Sequence, residues 1–118
     1  MDIGAYALLR PAAICEATWA RAAVADPWAE AGGNGIGTDR RAVPESAVSL
    51  AGIRTWYAWD LTTLVREWVG GELPNHGVML RATNMRAYSY RLASAQDAIM
   101  EVRPRLVIIY EEGTGSER

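Results

Sequence analysis

At 118 residues the chain has the size of one domain, long enough for folding to bury about two thirds of the unfolded chain's surface. Half of it is apolar and 22% is charged, which excludes a disordered chain, and no apolar run approaches the roughly 18 residues of a membrane helix. Membrane insertion is therefore not expected, and with 12 basic against 14 acidic side chains the net charge of -2 gives no broad attraction for nucleic acid.

Every basic side chain is arginine, which removes P-loop, Schiff-base and Ser-Lys chemistry from consideration. Phenylalanine is absent, so tryptophan and tyrosine carry the aromatic packing. Cys15 is alone and can form neither an intramolecular disulfide nor a site of several thiolates. It stands in a strand-like run and is expected to be a buried, inert thiol. His76 is the sole histidine, so multi-histidine metal sites and most catalytic triads are excluded. In Asn75-His76-Gly77 it reads as a turn residue. Nothing promotes a particular pair of carboxylates for glycoside cleavage, and the chain is expected not to be an enzyme. The opening Met1-Asp2-Ile3-Gly4 lacks the basic and then apolar pattern of a secretory signal.

In chain order, Tyr6 to Arg10 reads as a short strand closed by Pro11, and Ile14 to Trp19 alternates with period two, as a half-buried strand does. An irregular stretch opens at Asp26-Pro27-Trp28. Ala31 to Thr38 is too glycine-rich for an element interior, and this long loop is the first suspect for contact with a partner. Asn34 and Asp39 could offer oxygen ligands to calcium, the one cofactor considered, with a solvated loop as the alternative. Pro44 to Ser49 reads as loop and short strand. Trp56 to Trp59 is aromatic-rich and reads as another strand. From there Leu61, Leu64, Val65 and Trp68 fall on one face of a helix over 61–69, with Asp60 or Thr62 to cap it and Gly70-Gly71 to end it. Strands are predicted at Val78 to Ala82, Tyr88 to Leu92 and Arg105 to Tyr110, the last apolar on both faces. Seven or so short strands with a single short helix predict an all-β fold, a jelly-roll-like β-sandwich occupying 1–110 as one domain, with a polar tail at 111–118.

The pattern Trp56-x-x-Trp59-Asp60-Leu61-Thr62-x-Leu64-Val65-x-x-Trp68-x-x-Gly71, followed by Pro74-Asn75-x-Gly77-x-x-Leu80, Leu92-x-Ser94-x-x-Asp97 and Arg103-Pro104-x-Leu106-x-x-x-Tyr110, resembles the C-terminal part of DNRLRE-type domains. These overlap with disaggregatase-related domains and with a family of alginate-binding carbohydrate-binding modules. Glu16-Ala17-Thr18-Trp19 and Pro27-Trp28-x-x-x-Gly32-Gly33 match what precedes that core. The resemblance implies a jelly-roll sandwich of a secreted or cell-surface protein, serving as a non-catalytic carbohydrate-binding or structural module. Members usually carry further strands ahead of the one matching Tyr6 to Arg10.

Candidate ligand-binding residues are Trp28, Arg40, Arg41 and Tyr57. Trp28 beside the loop could offer a flat face to a sugar ring or an anchor at an interface. Arg40 and Arg41, with Arg81, Arg86 and Arg91, could grip a carboxylated polysaccharide. Trp56, Trp59 and Trp68 are expected in the core. A sandwich short of its first strands would expose an edge, and Val107 and Ile109 would point away from the core, so both are candidate interface residues in a homo-oligomer or polymer. Two functions follow: a module that attaches its owner to polysaccharide, or a self-assembling subunit of a surface filament, tube or virion.

Overall fold

A computed structural model describes residues 1–84 and 90–111, which fall in two compact units, Met1–Arg86 and Ala87–Arg118. The described elements are strands in antiparallel sheets with one short α-helix, an all-β architecture. In the first unit these are β1 (Asp2–Ala7), β2 (Arg21–Ala23), β3 (Asp26–Pro27), β4 (Ser46–Ser49), α1 (Thr62–Val69) and β5 (Val78–Ala82). Among the described residues no helix is long and apolar enough to cross a membrane.

The main sheet runs β4-β1-β5, with the first strand at its centre. Ile3 lies opposite Val48 on one side and Ala82 on the other, and Ala5 lies opposite Ser46 and Leu80. Successive residues of a strand point to opposite faces. Since every residue from Ile3 to Leu8 is buried, β1 is covered on both faces. Its small residues make that possible: a Cβ on Gly4 would sit 2.9 Å from Pro44 Cβ and 2.9 Å from the Tyr6 ring. The strand therefore begins at Asp2, ahead of the expected Tyr6, because pairing on two sides outweighs the low strand propensity of glycine and alanine.

Helix α1 and strand β5 lie where the hydrophobic periods put them. Leu64 is fully buried, Leu61, Val65 and Trp68 are half-buried, and Val69 on the far side is 83% exposed. Asp60 stands one position before the N-cap Leu61 and accepts the Thr62 amide at 3.0 Å and its hydroxyl at 2.6 Å. At the other end Gly70 stays right-handed while Gly71 takes φ 77°. Glu72 N–H returns to the Glu67 carbonyl at 3.0 Å and Gly71 N–H to that of Trp68 at 3.2 Å, a Schellman closure. Asn75 Oδ1 accepts the Gly77 amide at 3.0 Å, so His76 sits in the expected turn.

Three expected strands are not strands. Ile14 to Trp19 is held by a local turn, with the Glu16 and Ala17 amides both donating to the Ala13 carbonyl, at 2.9 and 2.7 Å. Ile14 is 86% and Trp19 76% exposed, and Cys15 is exposed rather than buried. Trp56 to Trp59 is irregular and joins neither open edge of the β4-β1-β5 sheet. Trp56 is therefore half out of the core, while Trp59 donates its indole N–H to the Ile3 carbonyl at 2.8 Å. The buried indole nitrogen of Trp68 has no hydrogen-bond partner.

In the second unit a 3-10 turn at Met100–Val102 follows a loop in which Asp97 accepts the Ile99 amide, at 2.8 Å, and the Arg103 guanidinium, at 2.7 Å. Arg105 to Tyr110 has no regular structure, since β-propensity without a ladder partner does not make a strand. Leu106, Val107, Ile108, Ile109 and Tyr110 are all exposed, so the expected division into inward and outward faces is absent. Of the strand expected at Tyr88 to Leu92, Tyr88 lies outside the described residues and Tyr90 to Leu92 is irregular.

Leu64→Ala is expected to cost about 2–5 kcal/mol in urea unfolding, whereas Val69→Ala on the exposed face should change stability by no more than about 0.5 kcal/mol. Equal effects of the two changes would contradict the helix orientation.

Candidate functional site

The most densely bonded part of the first unit is the stretch between β1 and β4, and it is organised by one carboxylate. Asp39 is fully buried. Its Oδ1 accepts the Ala29 amide at 3.0 Å and Arg10 Nη1 at 3.3 Å, and its Oδ2 accepts the amides of Glu30 at 3.0 Å and Gly35 at 2.9 Å. A glycine is required at position 35, where a Cβ would lie 2.7 Å from Asp39 Oδ2 and 2.7 Å from Ala29 Cβ. Arg10 spans further, pairing with Asp26 and donating to the Pro27 carbonyl at 3.1 Å, so it ties the end of β1 to β3. Burial on its own would raise the Asp39 carboxyl, but the three backbone N–H donors and Arg10 outweigh it and hold the group below its ordinary range.

This anchored loop presents two tryptophans. Trp28 Nε1 donates to the Thr18 carbonyl at 3.0 Å, and the Arg10 guanidinium lies 5.7 Å from the Trp28 ring centroid. The next carbonyl, that of Trp19, accepts the Gly32 amide, and Gly32 has φ 81°. A Cβ on Gly32 would fall 2.5 Å from the Trp19 ring, so the indole rests directly against the glycine backbone. Trp19 nonetheless leaves most of its surface in water. An exposed aromatic ring seated on a braced backbone is a pre-organised contact surface. The Arg21 amide bonds to Thr18 Oγ1 at 3.1 Å and the Val24 amide to Glu16 Oε1 at 3.0 Å, which fixes the β2–β3 hairpin beside it.

The other candidate residues are placed elsewhere. Arg40 is 4% exposed. Its guanidinium donates to Asn34 Oδ1 at 2.7 and 3.0 Å and to the carbonyls of Arg41 and Ala42, and it stacks 4.7 Å from the Tyr6 ring centroid. Arg41 makes a two-pronged bridge to Glu67 of α1 at 2.7 and 2.8 Å, and reaches Glu45 at 3.2 Å. The Glu67 hydrogen bonds hold the Arg41 guanidinium above its ordinary range and the Glu67 carboxyl below its own. Tyr57 Oη accepts the Ala51 and Gly52 amides at 3.1 and 2.7 Å and donates to the Gly52 carbonyl at 2.8 Å, pinning the loop after β4. Arg81 lies 5.9 Å from the Tyr6 ring, Arg91 is exposed outside any strand, and Arg86 lies outside the described residues. Val107 and Ile109 belong to the second unit. Only Trp28 of the sequence candidates is in the Trp19 cluster.

Asn34 Oδ1 and both Asp39 oxygens take N–H donors in this arrangement, and among the described residues no three histidine, cysteine or acidic side chains form a metal-holding group. A shallow depression lined by Asp2, Ala47, Val48, Ser49 and Thr83 brings no second ionisable side chain to Asp2, whose carboxylate accepts from the Asn84 side-chain Nδ2 at 3.1 Å. No protein-family model, curated protein or solved structure matches the chain.

Sequence reasoning missed Trp19, assigned to a strand, and the anchoring part played by Arg10. The available signal was the pair Trp19 and Gly32, an aromatic residue and a glycine whose missing Cβ makes room for its ring.

Asp39→Ala leaves the amides of Ala29, Glu30 and Gly35 and one N–H of Arg10 without this acceptor and is expected to cost about 3–5 kcal/mol in urea unfolding. Because the Asp39 carboxyl titrates lower in the folded chain than in the unfolded one, its contribution is complete above the unfolded value. It is lost as pH falls through the folded one. Urea midpoints of the wild type should therefore fall in acid, while those of Asp39→Ala should fall less steeply.

Proposed function

We propose that the chain is a non-catalytic module of the extracellular or cell-surface kind, with a jelly-roll-like sandwich as its scaffold, and that it attaches its owner to carbohydrate. The observation that carries this reading is Trp19, an exposed indole set against Gly32 and braced by the Asp39-centred loop. A flat aromatic face fixed in advance loses little entropy on binding, and the C–H face of a sugar ring is its natural complement. The non-catalytic part of the reading is supported by the carboxylates of Asp39, Glu45 and Glu67, each engaged by arginine and so withdrawn from acid–base work. No metal is required in this reading, since calcium at Asn34 and Asp39 would have to displace the N–H donors of the loop.

A second reading is a self-assembling structural subunit. Its support is the run Leu106 to Tyr110, apolar and exposed throughout, together with the outer sides of β4 and β5, which carry no further strand among the described residues. Open edges and exposed apolar segments are surfaces that other chains complete.

Retention on a panel of insoluble polysaccharides, with and without EDTA, combined with light scattering of the free protein, separates the two. The module reading expects retention of a small species, insensitive to EDTA, with no reducing ends released. Large homo-oligomers formed without sugar, and no retention, would favour the subunit. Turnover that disappears on changing one Asp or Glu would contradict both.

A further inference from the structure

The geometry points to a subsite for a neutral pyranose chain at Trp19 and Glu30, rather than for the carboxylated polysaccharide that the arginines of the sequence suggest. This rests on the carbohydrate-binding reading above and narrows it to a class of glycan.

Selection of a polyuronate needs guanidinium groups with free donors facing the ligand. Around this loop three of the four are committed. Arg40 is buried on Asn34 and two carbonyls, Arg41 is held by Glu67 and Glu45, and Arg10 is held by Asp26 and Asp39. Arg21, the fourth, donates one N–H to the Val24 carbonyl at 2.7 Å. Between β1 and Asp39 the cations Arg10 and Arg21 stand against the carboxylates of Glu16, Asp26, Glu30 and Asp39, a net charge of -2. The local charge therefore opposes a polyanion over the roughly 8 Å that matter at physiological salt.

What remains suits a polyol. The Trp19 indole offers its exposed π face and an Nε1–H that has no partner among the described residues. The π face is electron-rich and attracts the weakly positive C–H face of a pyranose ring, while the N–H donates to a hydroxyl at its edge. Glu30 uses its amide on Asp39, and its exposed side chain lies two residues from Gly32, the seat of the indole. A carboxylate there accepts from sugar hydroxyls in charge-assisted bonds, which a neutral chain supplies without repulsion. Trp28 is excluded as the donor, since its own Nε1–H is taken by the Thr18 carbonyl.

The test is calorimetric titration of the full chain with hexasaccharides of β-1,4-linked glucose, xylose and mannose, and of mannuronate and galacturonate. At least one neutral hexasaccharide is expected to bind, with an affinity unchanged between low and high salt. Trp19→Ala should weaken it about tenfold or more, and Trp19→Phe, which keeps a ring but loses the N–H, should weaken it less. Thermal melts of both variants should match the wild type, and if Trp19→Ala does not fold, Trp19→Phe and Glu30→Gln carry the test. Preferential binding of a uronate hexasaccharide that weakens with salt would overturn this inference and leave the module reading intact. Neutral binding indifferent to Trp19 would overturn the site. Failure of every saccharide, with no retention on polysaccharide, would overturn both. Self-association lost in Trp19→Ala would show that the surface meets another copy of the chain and would overturn the inference as well.

Discussion

The burial of one carboxylate is the constraint on which the rest of the first unit depends. Asp39 has no access to water, so its charge must be compensated by the protein, and three backbone amides and Arg10 do so. The amide donors come from just before the glycine-rich segment, at Ala29 and Glu30, and from within it, at Gly35, and their common acceptor closes it into a fixed shape. A glycine-rich stretch without such an anchor would have much conformational freedom to lose. Here that loss is offset by hydrogen bonds to a charged group, which are stronger than those between neutral partners. Trp19 and Trp28 are consequences of the closure, because both are tied to the loop through the carbonyls of Thr18 and Trp19.

The same hub is joined to the sheet. The Asp39 carbonyl accepts the Leu9 amide at 2.9 Å, and the Arg41 amide donates to the Ala7 carbonyl at 3.1 Å, so the chain around Asp39 runs beside the end of β1. Arg40 then lies against Tyr6 and Arg41 reaches Glu67 on α1. Two adjacent arginines thus connect loop, sheet and helix. Their guanidinium forks are matched to planar and bidentate partners, a task for which lysine would be a poor substitute. The absence of lysine from the chain is compatible with a compositional habit, but at these two positions the side chain has a structural use.

How far the sequence was legible depended on whether a signal was local. Leu61, Leu64, Val65 and Trp68 declare the helix through their spacing, and Val78 to Ala82 declares β5, because both patterns lie within the element concerned. The turn at Asn75 to Gly77 and the glycine-rich loop were legible for the same reason. Strand β1 was legible only at Tyr6 and Ala7, its last two residues, and the expected continuation through Leu8 to Arg10 is not strand, since Gly4 and Ala5 are chosen for close approach and not for strand propensity. Trp56 to Trp59 and Arg105 to Tyr110 carry strong propensity and form no strand, because a ladder needs a partner that local sequence does not reveal. Arg40 and Arg41 were recognised as notable, but their partners Tyr6 and Glu67 are distant in sequence. The anchoring of Asp39 was the least legible feature of all: its donors are backbone amides, which every residue except proline possesses.

Amide hydrogen exchange resolved by residue measures most directly whether one carboxylate holds the loop that presents Trp19. If Asp39 is the anchor, the amides of Ala29, Glu30 and Gly35 are protected in the wild type, and in Asp39→Asn they lose protection together while those of β1 at Ala5 and Ala7 remain slow. Protection at Ala29, Glu30 and Gly35 that survives the substitution, or that is lost only along with the sheet, would contradict this account.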